Sequence, residues 1–268
     1  MKYYRIMKAV AFATYNEWAA YRSHSMVSLL VGPIYFLVQS SIWRAVYASG
    51  SDINGFTLHD MLVYFGIAAL IHYLIMDFAD WNLQMLIHTG KYLAFAIRPV
   101  SHIYFALSQK VGHRVLGFLF EFLPVYAIFI FVFQIRLFPA HLFYAVVSII
   151  LGFLMMFFVN YCVGIIAFWL VKTQGVRRMF ILLRDLCSGV LFPLMLFPVV
   201  MQRVLFFLPF QFIAYVPIRV FIGSYELGGI SYEISEIVGI QFVAVVIMAC
   251  LTWLLNRAGI KHFTGVGV

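Results

Sequence analysis

Long apolar runs divided by short polar stretches set the pattern of this chain. Met26 to Trp43 runs without a charge, Met61 to Met76 is apolar apart from His72, and Val115 to Phe133 carries only Glu121. Leu142 to Val171 is longer, Leu186 to Met201 is the core of a run that starts near Met179, and Ile237 to Asn256 is the last. About twenty mostly apolar residues at 1.5 Å rise cross the roughly 30 Å of a bilayer's hydrocarbon. The pattern predicts six membrane-crossing helices, the second extended by a turn at either end, with both termini on one side.

Three stretches break the pattern. Val204 to Ile218 is apolar but too short to cross, and Pro209 and Pro217 interrupt it. Proline removes an amide donor, so residues 204–221 are expected to enter the membrane face and return as a hairpin shielded by protein. Before the first run, Met7, Val10, Ala11, Thr14, Trp18 and Tyr21 recur every three or four residues, opposite Arg5, Lys8 and Asn16. Residues 1–24 therefore read as an amphipathic helix in the headgroup layer. The loop Asp77 to Arg114 holds Trp81, Leu83, Met85, Leu86 and Ile87, a break at Gly90, then Tyr92 to Ile97, closed by Arg98 and Pro99. Such groups either lie on the membrane or are covered by a soluble partner.

Composition agrees with this reading and narrows it. Of the 268 residues, 65% are hydrophobic and 10% charged, against about 45–50% and about 25% in a soluble domain. A soluble fold so poor in charge could not cover itself, and disorder, collagen and a disulfide-stapled module are excluded with it. Cys162, Cys187 and Cys250 are too scattered for a disulfide framework or a zinc site. No small-residue cleavage pattern marks a removable signal peptide.

The formal net charge of +8 is explained by where the basic residues stand. Lys2, Arg5, Lys8 and Arg22 lie in the arm. Lys91, Arg98, Lys110 and Arg114 lie in the second loop, Lys172, Arg177, Arg178 and Arg184 in the fourth, and Arg257 and Lys261 in the tail 257–268. Only Arg44, Arg136, Arg203 and Arg219 fall on the other side. The positive-inside rule puts both termini and the second and fourth loops in the cytoplasm. The basic balance is thus topological, and no nucleic-acid partner is implied.

Candidate chemistry is sparse. No G-x-x-x-x-G-K-[ST], H-E-x-x-H or G-x-S-x-G occurs, and no histidine pairs with a second ligand at helical spacing. The chain therefore reads as no enzyme, without a nucleotide site or metal of its own. Glu121 is the one carboxylate inside a run; it is either paired with a neighbouring helix, with Arg114 seven residues earlier in reach, or part of a proton relay. Pro193 and Pro198, and Gly32 with Pro33, are hinges or static kinks. Gln39, Ser40 and Ser41 are helix–helix glue or part of a substrate path.

The run Ile87-His88-Thr89-Gly90-Lys91-Tyr92-Leu93-Ala94-Phe95-Ala96-Ile97-Arg98-Pro99-Val100 resembles a signature of the membrane subunits of type-2 ABC exporters. Leu208 to Pro217 is similar to the L-P-x-x-F-x-x-Y-x-P hairpin of one branch of that class, and Gly259 to Gly267 resembles its short basic, aromatic and glycine-rich ending. The resemblance covers nearly the whole chain. It implies one all-α transmembrane domain over 1–268 in a bacterial-type inner membrane. It also implies a permease that forms the path as a dimer with itself or a related chain and couples to cytoplasmic ATPase subunits, which bind ATP and Mg. The coupling helix would lie within 80–100, presenting Tyr92, Leu93 and Phe95 beyond Gly90, with Lys91 and Arg98 at the rim and Pro99 fixing the return. Pro209, Phe212, Tyr215 and Pro217 would form an outer gate, and Gln39, Ser40, Pro193 and Pro198 would line or bend the path. A nucleotide-independent secondary transporter or channel, which predicts repeated midplane charges and an inverted repeat, is the alternative, with a membrane scaffold as a third.

Overall fold

The computed structural model describes residues 2–20, 22–50, 55–98, 100–135, 137–170 and 172–263, leaving aside the side chains at 2–4, 15–20, 22–26 and 96. Expectations placed on Tyr21, Pro99, the Trp18 side chain and the tail from Thr264 onward lie outside the described residues. The elements in order are α1 (Lys2–Ala20), α2 (Arg22–Ala48), α3 (Leu58–Ile75), α4 (Ala79–His88), α5 (Leu93–Ala96), α6 (His102–Gly117) and α7 (Leu123–Phe131). They continue with α8 (Leu142–Ile165), α9 (Gln174–Cys187), α10 (Val199–Phe207), α11 (Tyr215–Ile222), β1 (Tyr225–Leu227), β2 (Ile230–Tyr232) and α12 (Ile234–Ile260). One π-helical turn, Phe118–Phe122, joins α6 to α7.

Among the described residues, five helices are long and apolar enough to cross a membrane: Val27–Ala48, Leu58–His88, His102–Phe131, Leu142–Phe168 and Ile234–Ile260. The third begins at His102, well before Val115, and residues 79–88 extend the second; what reads as one long loop is mostly helix. The fifth apolar run is corrected. Leu186 to Met201 is not one helix, because α9 ends at Cys187 and the chain passes Pro193 and Pro198 through a short 3-10 turn, Leu194–Leu196, before α10. Each proline withholds an amide from the ladder, and together they keep the run from closing into a continuous span.

Helix α3 is buried nearly all round, which a helix without a polar face requires. A capping box starts it: Asp60 N donates to Thr57 Oγ1 at 3.2 Å and Thr57 N to Asp60 Oδ2 at 2.9 Å. The core runs along α3, α8 and α11, where Tyr64, Phe65, Met155, Tyr215 and Ile218 are fully enclosed. Helices α2 and α12 keep apolar residues outward, among them Ile34, Val38, Ile42, Phe242 and Ile247. Helix α1 packs on α6: a Cβ at Gly112 would stand 2.7 Å from the Ala11 backbone, and Thr14 is buried. Its apolar face is thus covered, at least in part, by protein. An antiparallel pair absent from the all-α expectation precedes α12; Tyr225 faces Tyr232, and Gly228 and Gly229, both at positive φ, make the two-residue turn.

The gap that Pro33 leaves in the hydrogen-bond ladder of α2 has a specific filler. Pro33 has no amide for Leu29, and the Tyr73 hydroxyl stands in the gap. It accepts from Gly32 N at 2.7 Å and donates to Ser28 O at 2.8 Å. A Cβ on Gly32 would sit 2.6 Å from the Tyr73 ring, so the glycine makes the space. Tyr73→Phe leaves these backbone groups unpaired and is expected to lower stability by about 1–3 kcal/mol, read as a lower melting temperature of the purified protein; an unchanged value refutes the role.

Candidate functional site

The end of the molecule that carries most of the basic residues is built on α4, α5 and α6. Helix α5 is a single turn held between two longer helices. Its Tyr92 side is turned inward, only 4% exposed, with ring centroids 5.2 Å from Phe168, 5.3 Å from Phe263 and 5.5 Å from His102. Burial pushes the Tyr92 phenol up to about 12, so it stays neutral. Tyr92 is therefore not among the residues this turn presents; it anchors the turn from behind. Leu93 is 53% exposed and Ile97 84%, with Lys91 and Arg98 also outward. Phe95 is half-buried; it stacks edge-on against His102 at 4.6 Å and lies under the Arg98 guanidinium, 4.7 Å away. The outward set is thus Leu93 and Ile97 between two cations.

At the other end, α10 and α11 form the interrupted pair that the prolines foretell. With 9 and 8 residues, neither crosses a bilayer. The turn between them is deep: Phe212, Tyr215 and Pro217 are buried, while Pro209 is half-exposed. Non-helical backbone at such depth needs donors, and three glutamines supply them. Gln241 donates to Phe212 O at 2.9 Å and to Ser148 O at 3.0 Å while accepting from Ser148 Oγ at 2.7 Å. Gln211 donates to Phe206 O and accepts from the Tyr225 hydroxyl. Gln202 donates to Met195 O and Phe197 O, beside the two prolines of the broken run, and accepts from Gly228 N.

Glu121 sits in the π-helical turn, 8% exposed, and accepts from Ser28 Oγ on α2 at 2.6 Å. Arg114 does not close a salt bridge with it; its guanidinium donates to Tyr73 O. The acid is thus bound to a neighbouring helix, and no second acid lies in contact with it among the described residues.

A profile of the family described as ABC-2 family transporter protein matches residues 34–267. The chain belongs to that family. No curated protein and no solved structure matches. As an ABC-2 family member with several apolar spans, it is a multi-pass membrane transport protein of the permease type.

In this permease, the residues singled out from sequence do not form one site. Gly90 to Arg98 lie together at one end, while Pro209, Phe212, Tyr215 and Pro217 lie together deep in the bundle, where Gly152 of α8, Ser188 and Gln241 of α12 meet this turn. Ser40 is buried but its hydroxyl donates to its own helix, at Leu37 O, and Gln39 is half-buried. Pro193 is buried behind the broken run and Pro198 exposed at the start of α10. Sequence reasoning missed Gln202, Gln211 and Gln241. The signal was present: glutamine inside apolar runs, where an amide is kept only if it has carbonyls to serve. It also missed a polar network that ties α9 and the residue before it to α4 and α8. Arg177 Nε is 2.5 Å from Asp80 Oδ2, Thr173 Oγ1 donates to Gln84 Oε1 at 3.0 Å, and Arg184 donates to Asn160 Oδ1 at 2.6 Å. Lys110 Nζ stands 3.4 Å from Asp77 Oδ1, near enough for an ion pair but not aligned as a hydrogen bond.

Proposed function

We propose that this permease is the membrane subunit of an ATP-driven exporter, forming its path with a second copy or a related chain and docking separate ATPase subunits through Leu93 and Ile97. The observation that carries the reading is a pair of large apolar side chains held outward on a one-turn helix at the basic end of the bundle, with Lys91 and Arg98 beside them. An apolar pair so placed is suited to a groove on a soluble partner, and the cations to an acidic rim. ATP and Mg belong to that partner; this chain contributes no nucleotide site. The buried turn at Pro209 to Pro217 would close the path at the outer face, and the interrupted run before α10 would take the place of a fifth crossing. The test is co-purification: the tagged chain, expressed with the ATPase subunits of its host, should bring one of them down at a one-to-one ratio. A chain that purifies alone under mild detergent contradicts the reading.

The orientation that goes with it puts α5 and the start of α9 in the cytoplasm, following the basic residues. Thr173 is buried against Gln84 and unsuited as a reporter, whereas Gly175 and Ser231 are exposed. A cysteine at Ser231 should react with an impermeant maleimide added to intact cells, and one at Gly175 only after lysis. Labelling of Gly175→Cys in intact cells would reverse the topology.

A further inference from the structure

Helix α4 carries Asp80, Gln84 and His88 at four-residue spacing, hence on one face, and each meets the chain that leads into α9. The His88 ring is 3.4 Å from Leu170 O, Gln84 accepts from Thr173 Oγ1 at 3.0 Å, and Asp80 holds Arg177 at 2.5 Å. The order is antiparallel, so the three contacts form a seam: the rung nearest α5 is the loosest and the rung nearest the core is a charged pair with Asp80 only 3% exposed. Gln84 is itself fixed on α8 by donating to Val163 O.

We propose that this seam is the link by which displacement of α5 reaches α9, with Asp80 and Arg177 as its positioning residues; the proposal rests on the docking assigned above to Leu93 and Ile97. A single turn such as α5 cannot carry load along its own axis, and its backbone joins rigid structure first at α4, whose Leu86 carbonyl accepts from Tyr92 N. The apolar face of α9 does not make the connection, because Val176, Met179, Leu182 and Leu183 are exposed and Phe180 packs on Phe210. The charged pair is therefore the stiffest contact between α4 and α9 among the described residues. It is directional and short, and a buried carboxylate has no cheap alternative partner if α9 moves without α4. Behind α9 stands the interrupted run Ser188 to Pro198, which has no continuous ladder to resist a shift of the helix before it.

A purely structural pair makes a different prediction from a transmitting one. Neutralising one partner leaves a lone buried charge and weakens the fold, whereas the double variant Asp80→Asn with Arg177→Gln removes both charges and should restore melting temperature toward wild type. Transmission, in contrast, stays broken. Hydrogen–deuterium exchange of the permease–ATPase complex, nucleotide-free against vanadate-trapped, reads it without any substrate. In wild type, peptides covering 91–98 and 174–187 should both change protection. In the double variant the change at 91–98 persists, ATPase stays bound, and the change at 174–187 falls at least threefold. Gln84→Met with Thr173→Val tests the middle rung and should give a smaller loss if the charged pair does not tolerate substitution. An α9 response of wild-type size in either stable variant overturns the seam while leaving the docking intact. An absent response at 91–98 in the wild-type complex overturns the docking, and the seam with it.

Discussion

Glutamate at both Leu93 and Ile97 is expected to strip the ATPase subunit from the purified complex, with affinity falling about a hundredfold or more. The two side chains are the most exposed apolar groups on the turn, and burying a charge in place of each costs on the order of 2 kcal/mol or more at the centre of an interface. Both side chains are exposed, so insertion and melting temperature should be largely retained. Phe95→Ala is the informative contrast, because Phe95 lies between His102, Phe105 and Arg98 and shapes the turn from within. Pull-down at wild-type stoichiometry from L93E/I97E would reject α5 as the docking element, whatever Phe95→Ala does.

The second large effect concerns Gln241. Leucine at this position has a similar volume but leaves Phe212 O without its donor and Ser148 without both of its partners, all in a region closed to water. Three hydrogen bonds at about 1 kcal/mol each, plus the burial of unmet polar groups, give a loss of about 3 kcal/mol or more. Thermal unfolding in detergent should show a larger drop for Gln241→Leu than for Tyr73→Phe, while Val243→Leu, on the outer face of the same helix, changes little. Unaltered unfolding of Gln241→Leu would mean that the turn at Phe212 is held by something else.

Much of this architecture was legible in the chain, and the exceptions share a cause. Helices α2, α3, α8 and α12 follow from apolar runs because a bilayer imposes length and composition on each run separately. The run Leu186 to Met201 has the composition of a span but lacks the amide donors of one, and composition is blind to that difference. Helix α6 was hidden by Lys110 and Arg114, charges that mark a loop by count, yet one faces Asp77 and the other Tyr73 O inside the bundle. The position of the turn α5 could be read from Gly90 to Arg98. Its facing could not, because what turns Tyr92 inward are Phe168 and Phe263, far away in sequence. The seam on α4 was visible as a four-residue spacing of Asp80, Gln84 and His88, but a spacing shows a face and not what covers it.

Phe263 makes the turn α5 depend on a distant part of the chain. Its ring closes the back of Tyr92 at 5.3 Å, yet it follows α12 in sequence. The wall behind Tyr92 is therefore complete only when α12 has packed and brought Phe263 against it, whereas α4, α5 and α6 are neighbours in sequence. A variant in which Phe263 cannot reach Tyr92 would keep its first spans and hold α5 less firmly.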